Sequence, residues 1–216
     1  MTPRLDTQII SRYGWDFLIP SGILLLSLLL FIGLNFFTLI LSIVYLLSLY
    51  MHRNPERISD YTQEASILSP VDGKIKEIIS MQSSPIDGKP GFEIIIDSAC
   101  LDIAVLRSPT DANMRIETLQ RGASLKLTSN NVILNENANI RFIGKLGDIL
   151  VHHTLGSWSR PLKFGVEGKT LQAQRYGFML HGISSIYLPS NSRVAVKEGM
   201  NVQAGSSVIG FFSETV

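Results

Sequence analysis

The sequence predicts a mainly β protein, in which an antiparallel β-sandwich or barrel domain is preceded by an N-terminal hydrophobic helical hairpin. Two observations lead to this prediction. Charged residues make up only 17% of the 216 residues, and residues 1–51 contain just four of them, whereas residues 52–216 contain 33. Beyond residue 65 the chain consists of short apolar runs separated by turn residues. The predicted organisation is an N-terminal segment over 1–16, a membrane hairpin over 17–51, a linker over 52–64 and a β domain over 65–216.

Composition excludes several classes of protein. A hydrophobic fraction of 45% with a net charge of +1 is not that of a disordered chain. A single cysteine excludes a disulfide scaffold. The near-neutral charge gives no electrostatic reason to expect a nucleic acid partner. A membrane anchor followed by one globular domain remains.

The hairpin is predicted from the run between Phe17 and Met51, which contains no Asp, Glu, Lys, Arg or His. One straight helix over this run would be about 50 Å long, whereas the hydrocarbon core of a bilayer is about 30 Å thick. The sequence Gly33-Leu34-Asn35 at its midpoint is typical of a break between helices. We therefore expect two helices, over 17–32 and 35–50, that dip into the bilayer or just cross it.

The charges that flank this run predict its orientation. Arg4 and Arg12 precede it, and His52, Arg53 and Arg57 follow it. The excess of basic residues at both ends places both ends, and hence the β domain, on the cytoplasmic side. A cleaved signal peptide is disfavoured because the apolar run is too long. A single tilted span, with the domain outside the cytoplasm, stays open as an alternative.

The β domain is predicted from segments of four to seven residues that are rich in Ile, Val, Leu or Phe and bounded by Gly, Pro, Asn or Asp. No stretch of 12 residues here has the periodicity of an amphipathic helix. The predicted strands are Lys74–Ile79, Phe92–Ile96, Leu101–Leu106, Ala123–Leu127, Ile140–Ile143, Ile149–His153, Thr170–Ala173, Ser185–Leu188, Arg193–Val196 and Val208–Phe212.

General functional motifs are absent from the sequence. It contains no phosphate-binding loop, no zinc-ligand spacing and no Gly-x-Ser-x-Gly elbow. His152 and His153 are adjacent and would point to opposite faces of a strand, which argues against a shared metal. We therefore predict no metal site.

A series of short motifs, in order along nearly the whole chain, nevertheless resembles the short bacterial type of phosphatidylserine decarboxylase. Two of them, Asn-Pro-Glu-Arg and Ser-Pro-x-Asp-Gly, are fairly specific when they occur together. The motifs are Arg12–Phe17, His52–Arg57, Ser69–Lys74, Leu101–Pro109, Arg175–Gly177, Tyr187–Pro189, and Gly199 followed by Ala204-Gly205.

This resemblance implies a carboxy-lyase of phosphatidylethanolamine synthesis in the bacterial inner membrane. Members of the family are proenzymes that cleave themselves at a Gly-Ser bond, after which the Ser becomes a pyruvoyl group. That ketone forms a Schiff base with the amine of phosphatidylserine and accepts the electrons released when CO2 leaves. An Asp and a His assist the self-cleavage, the His as general base.

Two of these three self-processing residues are missing at the matching positions. The family Asp falls on Asp72, although an Asp-Gly pair before a strand is also an ordinary turn signal. The family His falls on Ala104. Counting from Gly177, the Gly of the cleaved bond falls on Gly182, and the position of the Ser is then Ile183. Alanine cannot accept a proton, and isoleucine cannot become a pyruvoyl group.

Two other alignments of this region are possible. Cleavage shifted by one residue would use Ser184, with His181 as a candidate base. A slip of one residue turns a side chain to the opposite face of a strand, and the β-branched Ile183 would crowd the carbonyl. A gap placed before Gly182 would instead put the Gly-Ser pair on His181-Gly182, which also lacks the Ser.

Three functions follow as expectations. The first is an uncleaved relative of the decarboxylase that binds lipid or regulates a partner and carries no cofactor. The second is an active decarboxylase, with a pyruvoyl group only if the chain is cleaved at Ser184. The third is another lipid-headgroup enzyme on the same scaffold, with His181, His152 or His153 as base. The expected partners are membrane phospholipid and either further copies of the chain or an authentic decarboxylase.

Overall fold

The computed structural model describes residues 9–57, 65–128, 132–165 and 167–213. Arg4, at the start of the predicted N-terminal segment, and residues 58–64 of the predicted linker lie outside the described residues. The chain divides into two compact units, Met1–Glu56 and Arg57–Val216. The second unit is called the β domain below.

Within residues 9–56, the first unit contains two α-helices, α1 (Trp15–Ile32) and α2 (Phe36–Met51), and a short 3-10 helix, Arg12–Gly14, before α1. The predicted break between them is confirmed. Gly33 has a φ of 74°, in the region that glycine adopts most readily. Asn35 caps α2, because its side chain accepts hydrogen bonds from two backbone amides while Thr38 Oγ1 accepts one from the Asn35 amide at 2.9 Å.

The two helices pack together as a hairpin. The Tyr45 hydroxyl of α2 donates to the Leu18 carbonyl of α1 at 3.3 Å, and Gly22 lies directly against the Tyr45 ring. The segment Arg12–Ile32, which is mostly exposed, is long and apolar enough to cross a membrane, whereas α2 is a shorter apolar helix. The N-terminal apolar helical hairpin is therefore confirmed as an element of the fold.

The β domain contains fourteen strands among the residues that the structure describes. They are β1 (Ser66–Leu68), β2 (Gly73–Met81), β3 (Gly91–Ser98), β4 (Val105–Arg107), β5 (Ala112–Gln120), β6 (Asn137–Gly144), β7 (Asp148–Leu155), β8 (Lys163–Phe164), β9 (Gly168–Thr170), β10 (Arg175–Phe178), β11 (Gly182–Pro189), β12 (Ser192–Val194), β13 (Asn201–Val202) and β14 (Val208–Phe212).

These strands form one large and two small antiparallel sheets. The large sheet has the order β13-β2-β3-β11-β7-β6-β5-β9, and the small sheets have the orders β1-β14-β12 and β4-β10-β8. One hydrophobic core takes side chains from all three sheets, including Ile67 of β1, Ile96 of β3 and Tyr176 of β10. The mainly β, antiparallel fold is confirmed. Its barrel alternative is wrong for the described strands, because the large sheet ends at two separate edges, β13 and β9.

Some predicted strand segments differ from the observed ones. Ala123–Leu127 forms only an isolated bridge, because the Asn135 side chain bonds both the amide and the carbonyl of Leu125. The strand predicted from Leu101 begins only at Val105, because Asp102 caps a turn by accepting from the Ala99 amide at 2.8 Å.

Strand β11 lies in the middle of the large sheet and positions the site. It pairs with β3 on one side and with β7 on the other. Its first residue, Gly182, lies opposite Ser98 of β3 and Leu155 of β7. Because side chains alternate along a strand, Ser184 shares the core face with Ile186, while Ile183 points to the other face.

Candidate functional site

A cleft of about 820 Å³ opens at the end of the large sheet where β2 begins, β3 ends and β11 begins. Its lining carries charges of both signs together with one imidazole. The titratable residues of the lining are Asp72, Lys74, Lys76, Asp97, Asp102 and His181. Asp72 and His181, which were predicted from separate parts of the sequence, are thus brought to one site.

Asp72 is held in a paired state at this cleft. Its two carboxylate oxygens accept from Arg57 at 2.5 and 2.7 Å, and Oδ1 also accepts from the Ala204 amide at 2.8 Å. The side chains of Asp72 and Arg57 are only 10% and 11% exposed. Charge-assisted hydrogen bonds of this bidentate kind are short and fix the geometry of both side chains. Asp72 therefore fixes the start of the domain against the loop at Ala204.

His181 is oriented toward the cleft by the loop Gly156–Ser159. Its Nδ1 lies 2.7 Å from the Ser157 carbonyl oxygen, which can only accept, so the neutral ring carries its proton on Nδ1. The lone pair is then on Nε2. The backbone of His181 accepts from the Gly156 amide at 2.9 Å and donates to Ser159 Oγ at 3.3 Å. An imidazole held in this way can bind a donor or take a proton.

Two positions of the predicted self-processing site, Ala104 and Ile183, lack a reactive side chain, whereas Gly182 matches the Gly of the cleaved bond. Ala104 is 2% exposed, and its carbonyl accepts from the Met179 amide at 2.8 Å. Gly182 is packed so closely that a Cβ would collide with the Thr154 carbonyl oxygen. Ile183 is half-buried in the ladder of β11, opposite Asp97 and Thr154.

Ser184 lies in the core, where it belongs to a buried network of three hydrogen-bonding side chains. Its Oγ is 2.7 Å from His153 Nδ1, and His153 Nε2 is 2.8 Å from the Tyr176 hydroxyl. All three residues are at most 1% exposed, and none of them lines the cleft. The network joins β7 and β11 of the large sheet to β10 of a small sheet.

Burial sets the protonation states in this network. It lowers the pKa of His153 to about 3, with the neighbouring His152 acting in the same direction. It raises the pKa of the Tyr176 hydroxyl well above its usual value. At neutral pH the network is therefore uncharged, and each ring nitrogen of His153 has a hydroxyl partner.

His152 points to the opposite face of the sheet, as expected for a neighbour in a strand. Its Nδ1 lies 2.6 Å from Asn139 Oδ1, and its Nε2 lies 3.0 Å from Thr154 Oγ1. Burial lowers the pKa of His152, and the charge of Glu93 opposes this shift. His152 and His153 are thus held by separate partners.

Sequence reasoning missed two pairings at this end of the molecule. It treated Arg57 as a flanking charge, although the residue lies in the Asn-Pro-Glu-Arg motif and binds Asp72. It also named His181 as the base for Ser184, whereas the structure places His153 beside that hydroxyl. The motif around Arg57 was a signal that could have suggested the first pairing.

Comparisons with known proteins give one consistent result. The phosphatidylserine decarboxylase proenzyme of Symbiobacterium thermophilum is 26% identical over 207 residues, which cover 94% of this chain and 95% of the relative. That of Carboxydothermus hydrogenoformans is 26% identical over 211 residues, covering 95% and 97%. That of Paraburkholderia xenovorans is 27% identical over 207 residues, covering 93% and 96%. No protein-family model matches the chain.

Proposed function

Because this chain belongs to the phosphatidylserine decarboxylase proenzyme family, we propose that it is an uncleaved member that binds a phospholipid headgroup in the cleft. It acts in phospholipid metabolism as a lipid-binding or regulatory protein. The observation that carries the proposal is the pair of residues at the self-processing positions. Ala104 stands where the family has its His, and Ile183 stands where it has its Ser.

The pyruvoyl group of the family does not fit the residues present. Ile183 has no oxygen from which a pyruvoyl group could be made. Ser184 has one, but its side chain is 0% exposed and points into the core rather than into the cleft. A group formed there would not meet a lipid headgroup that enters from solvent. No cofactor is therefore assigned to the uncleaved protein.

The charges of the cleft suit a zwitterionic headgroup. Lys74 and Lys76 are exposed on the same face of β2, where their ammonium groups can bind a phosphate. Asp97 and Asp102 supply carboxylates for a primary ammonium. Asp72 contributes little to the net charge of the cleft because its carboxylate is paired with Arg57. The proposed ligand is a phospholipid whose headgroup carries an amine and a phosphate.

The apolar hairpin supports a membrane location. Arg12–Ile32 is long enough for a bilayer, and most of its surface is exposed. We propose the bacterial inner membrane as the site, with the β domain on the cytoplasmic side as the flanking basic residues predict.

The mass of the purified protein tests whether it is cleaved. We expect one chain of 23.9 kDa that does not react with carbonyl reagents. Two fragments, one of them beginning at residue 184 and carrying a ketone, would contradict the proposal. A Ser184→Ala variant is the control, since any fragments that persist in it come from another protease.

Headgroup binding is tested with phosphoethanolamine as the probe, by calorimetry on the full chain in detergent. The double variant Lys74→Gln/Lys76→Gln is expected to bind more weakly than the wild type. The matched control is Lys89→Gln, because Lys89 is exposed and outside the cleft lining. Equal affinities of the wild type, the double variant and the control would show that the cleft is not the binding site.

A second candidate function is an active decarboxylase that is processed at Ser184. The observation in its favour is the distance of 2.7 Å between Ser184 Oγ and His153 Nδ1, which is that of a nucleophile and its base. This candidate requires the core to open, since both side chains are fully buried. It predicts fragments in the wild type that disappear in both Ser184→Ala and His153→Gln.

The proposed partner is either another copy of this chain or an authentic decarboxylase in the same membrane. Either assembly would give an uncleaved family member a regulatory role. Copurification of the tagged full chain from membranes tests this, and repeated recovery of the chain as a monomer alone would contradict it.

A further inference from the structure

Trp158 has an unusual combination of exposure and backbone conformation. Its side chain is 89% exposed, the second highest exposure among the large apolar side chains described. Its φ is 61°, and it is one of two non-glycine residues with positive φ in the described part of the chain. Bulky residues rarely adopt this conformation. Such strain persists where the surroundings enforce it, and it is concentrated at functional sites.

The loop that carries Trp158 borders the cleft. Residues on both sides of Trp158 bind His181, which lines the cleft: the Ser157 carbonyl accepts from its ring, and Ser159 Oγ accepts from its amide. The Gly156 amide donates to the His181 carbonyl at 2.9 Å. These bonds hold the loop around His181, so Trp158 lies between two residues that contact this cleft-lining side chain.

Two other exposed apolar side chains lie next to cleft-lining residues in the sequence. Leu101 is 54% exposed and lies between Ala99 and Asp102, both of which line the cleft. Met200 is 45% exposed, and both of its chain neighbours line the cleft. The three side chains Trp158, Leu101 and Met200 are called the apolar rim below.

We infer that the apolar rim inserts into the interface of a phospholipid bilayer and so holds the mouth of the cleft at the level of the headgroups. Tryptophan prefers this depth, because its ring is apolar and its N–H is polar. Lys74 and Lys76 in the cleft lining complement phosphate groups at the membrane surface. This inference rests on the proposed function, because it concerns how a lipid reaches that site.

The chain itself argues for a bilayer rather than a protein as the occupant. Only five residues separate Met51, at the end of α2, from Arg57, which binds Asp72 in the cleft lining. A hairpin in a membrane thus keeps the β domain tethered near lipid at a high effective concentration. Three apolar side chains on separate loops then suffice, since the tether supplies most of the affinity.

Quenching of tryptophan fluorescence by brominated lipid tests the inference on the full chain. The protein has two tryptophans, so Trp15→Phe leaves Trp158 as the only reporter. After reconstitution into phosphatidylcholine vesicles we expect a blue-shifted Trp158 emission that is strongly quenched by phosphatidylcholine brominated near the headgroup. Adding Leu101→Ser and Met200→Ser should reduce this quenching.

The matched control places the reporter at the opposite end of the large sheet. Leu146 is 40% exposed and precedes β7, whose far end, Leu155, pairs with Gly182, the residue after the cleft-lining His181. The eight residues of β7 put about 26 Å between the two ends. The variant Trp15→Phe/Trp158→Phe/Leu146→Trp should be quenched little. Equal quenching of the two reporters would overturn the inference.

The quenching assay and the phosphoethanolamine assay test different hypotheses, and either can fail without the other. If Trp158 is quenched in a protein that does not bind phosphoethanolamine, the apolar rim is supported as the docking surface and the proposed ligand is ruled out. Binding of phosphoethanolamine without preferential quenching of Trp158 would refute the docking surface alone.

Discussion

Acidification is expected to destabilise the β domain through His153. This side chain is fully buried, and burial lowers its pKa from 6.5 to about 3. In the unfolded chain its pKa returns to about 6.5. Between these values the unfolded state binds a proton that the folded state does not, so the stability from this residue is complete above pH 6.5 and is lost as the pH falls toward 3.

The size of the effect follows from the same two pKa values. Between pH 7.5 and pH 5 the stability falls by about 2 kcal/mol. Each pH unit below the unfolded-state pKa contributes about 1.36 kcal/mol to this loss. The full loss near pH 3 is about 5 kcal/mol, which is a large part of the stability of an ordinary domain. The ordinary pKa values of carboxyl groups, about 3.9 and 4.3, lie below this pH range, whereas that of histidine, about 6.5, lies within it.

The assay is urea unfolding of the full chain in mild detergent, followed by near-ultraviolet circular dichroism at several pH values from 7.5 to 5. His153→Gln keeps a donor and an acceptor in the buried network but does not titrate. It should lose about 2 kcal/mol less than the wild type over this range. His152→Gln is the control on the opposite face of β7 and should keep most of the wild-type pH dependence. If His153→Gln loses as much stability as the wild type, the assignment of a neutral, buried His153 is wrong.

Three further predictions concern single side chains. Asp72→Asn should lower the free energy of unfolding by about 3 kcal/mol because it leaves the Arg57 charge without its carboxylate. The control Asp87→Asn loses only an exposed ion pair at 3.9 Å and should change the free energy of unfolding by less than about 0.5 kcal/mol. Equal denaturation midpoints for the two variants would contradict this prediction. Gly182→Ala should reduce the yield of folded protein, because its Cβ would clash with a backbone carbonyl oxygen. A thermal melt like that of the wild type would contradict this prediction. Trp158→Gly should raise the free energy of unfolding by about 1 kcal/mol, because glycine adopts a positive φ without strain. The same variant should bind vesicles more weakly. A loss of stability would show that the indole makes stabilising contacts in the folded protein.

Local features of the structure could be predicted where local chemistry decides them. The break at Gly33-Leu34-Asn35 follows from a glycine with positive φ and a capping asparagine, and both are visible in the sequence. The strand Val208–Phe212 was predicted with its observed bounds, because it is a compact apolar run after a turn. Strand β5 was missed because it has no run of consecutive apolar residues. Its alternation of Ala112, Met114 and Ile116 with polar residues is nevertheless the pattern of a half-buried strand.

The arrangement of the site could be predicted only in part, because its pairings are long-range. The resemblance identified Asp72, Ala104 and Ile183 by position. The bond from Ser184 to His153 joins residues 31 apart, and it exists because β11 pairs with β7 although three strands lie between them in sequence. No local pattern shows which strands become neighbours in a large antiparallel sheet.

The central position of β11 bears on how the domain assembles. An uncut chain carries this strand on the same polypeptide as its two neighbours, β3 and β7. Its refolding after dilution from urea is then unimolecular, with a rate and a midpoint that do not depend on protein concentration. A molecule cut at the start of β11 would have to bring two fragments together, and its apparent stability would rise with concentration. If the chain stays uncut at Gly182, as we propose, the assembly of the β domain does not depend on protein concentration.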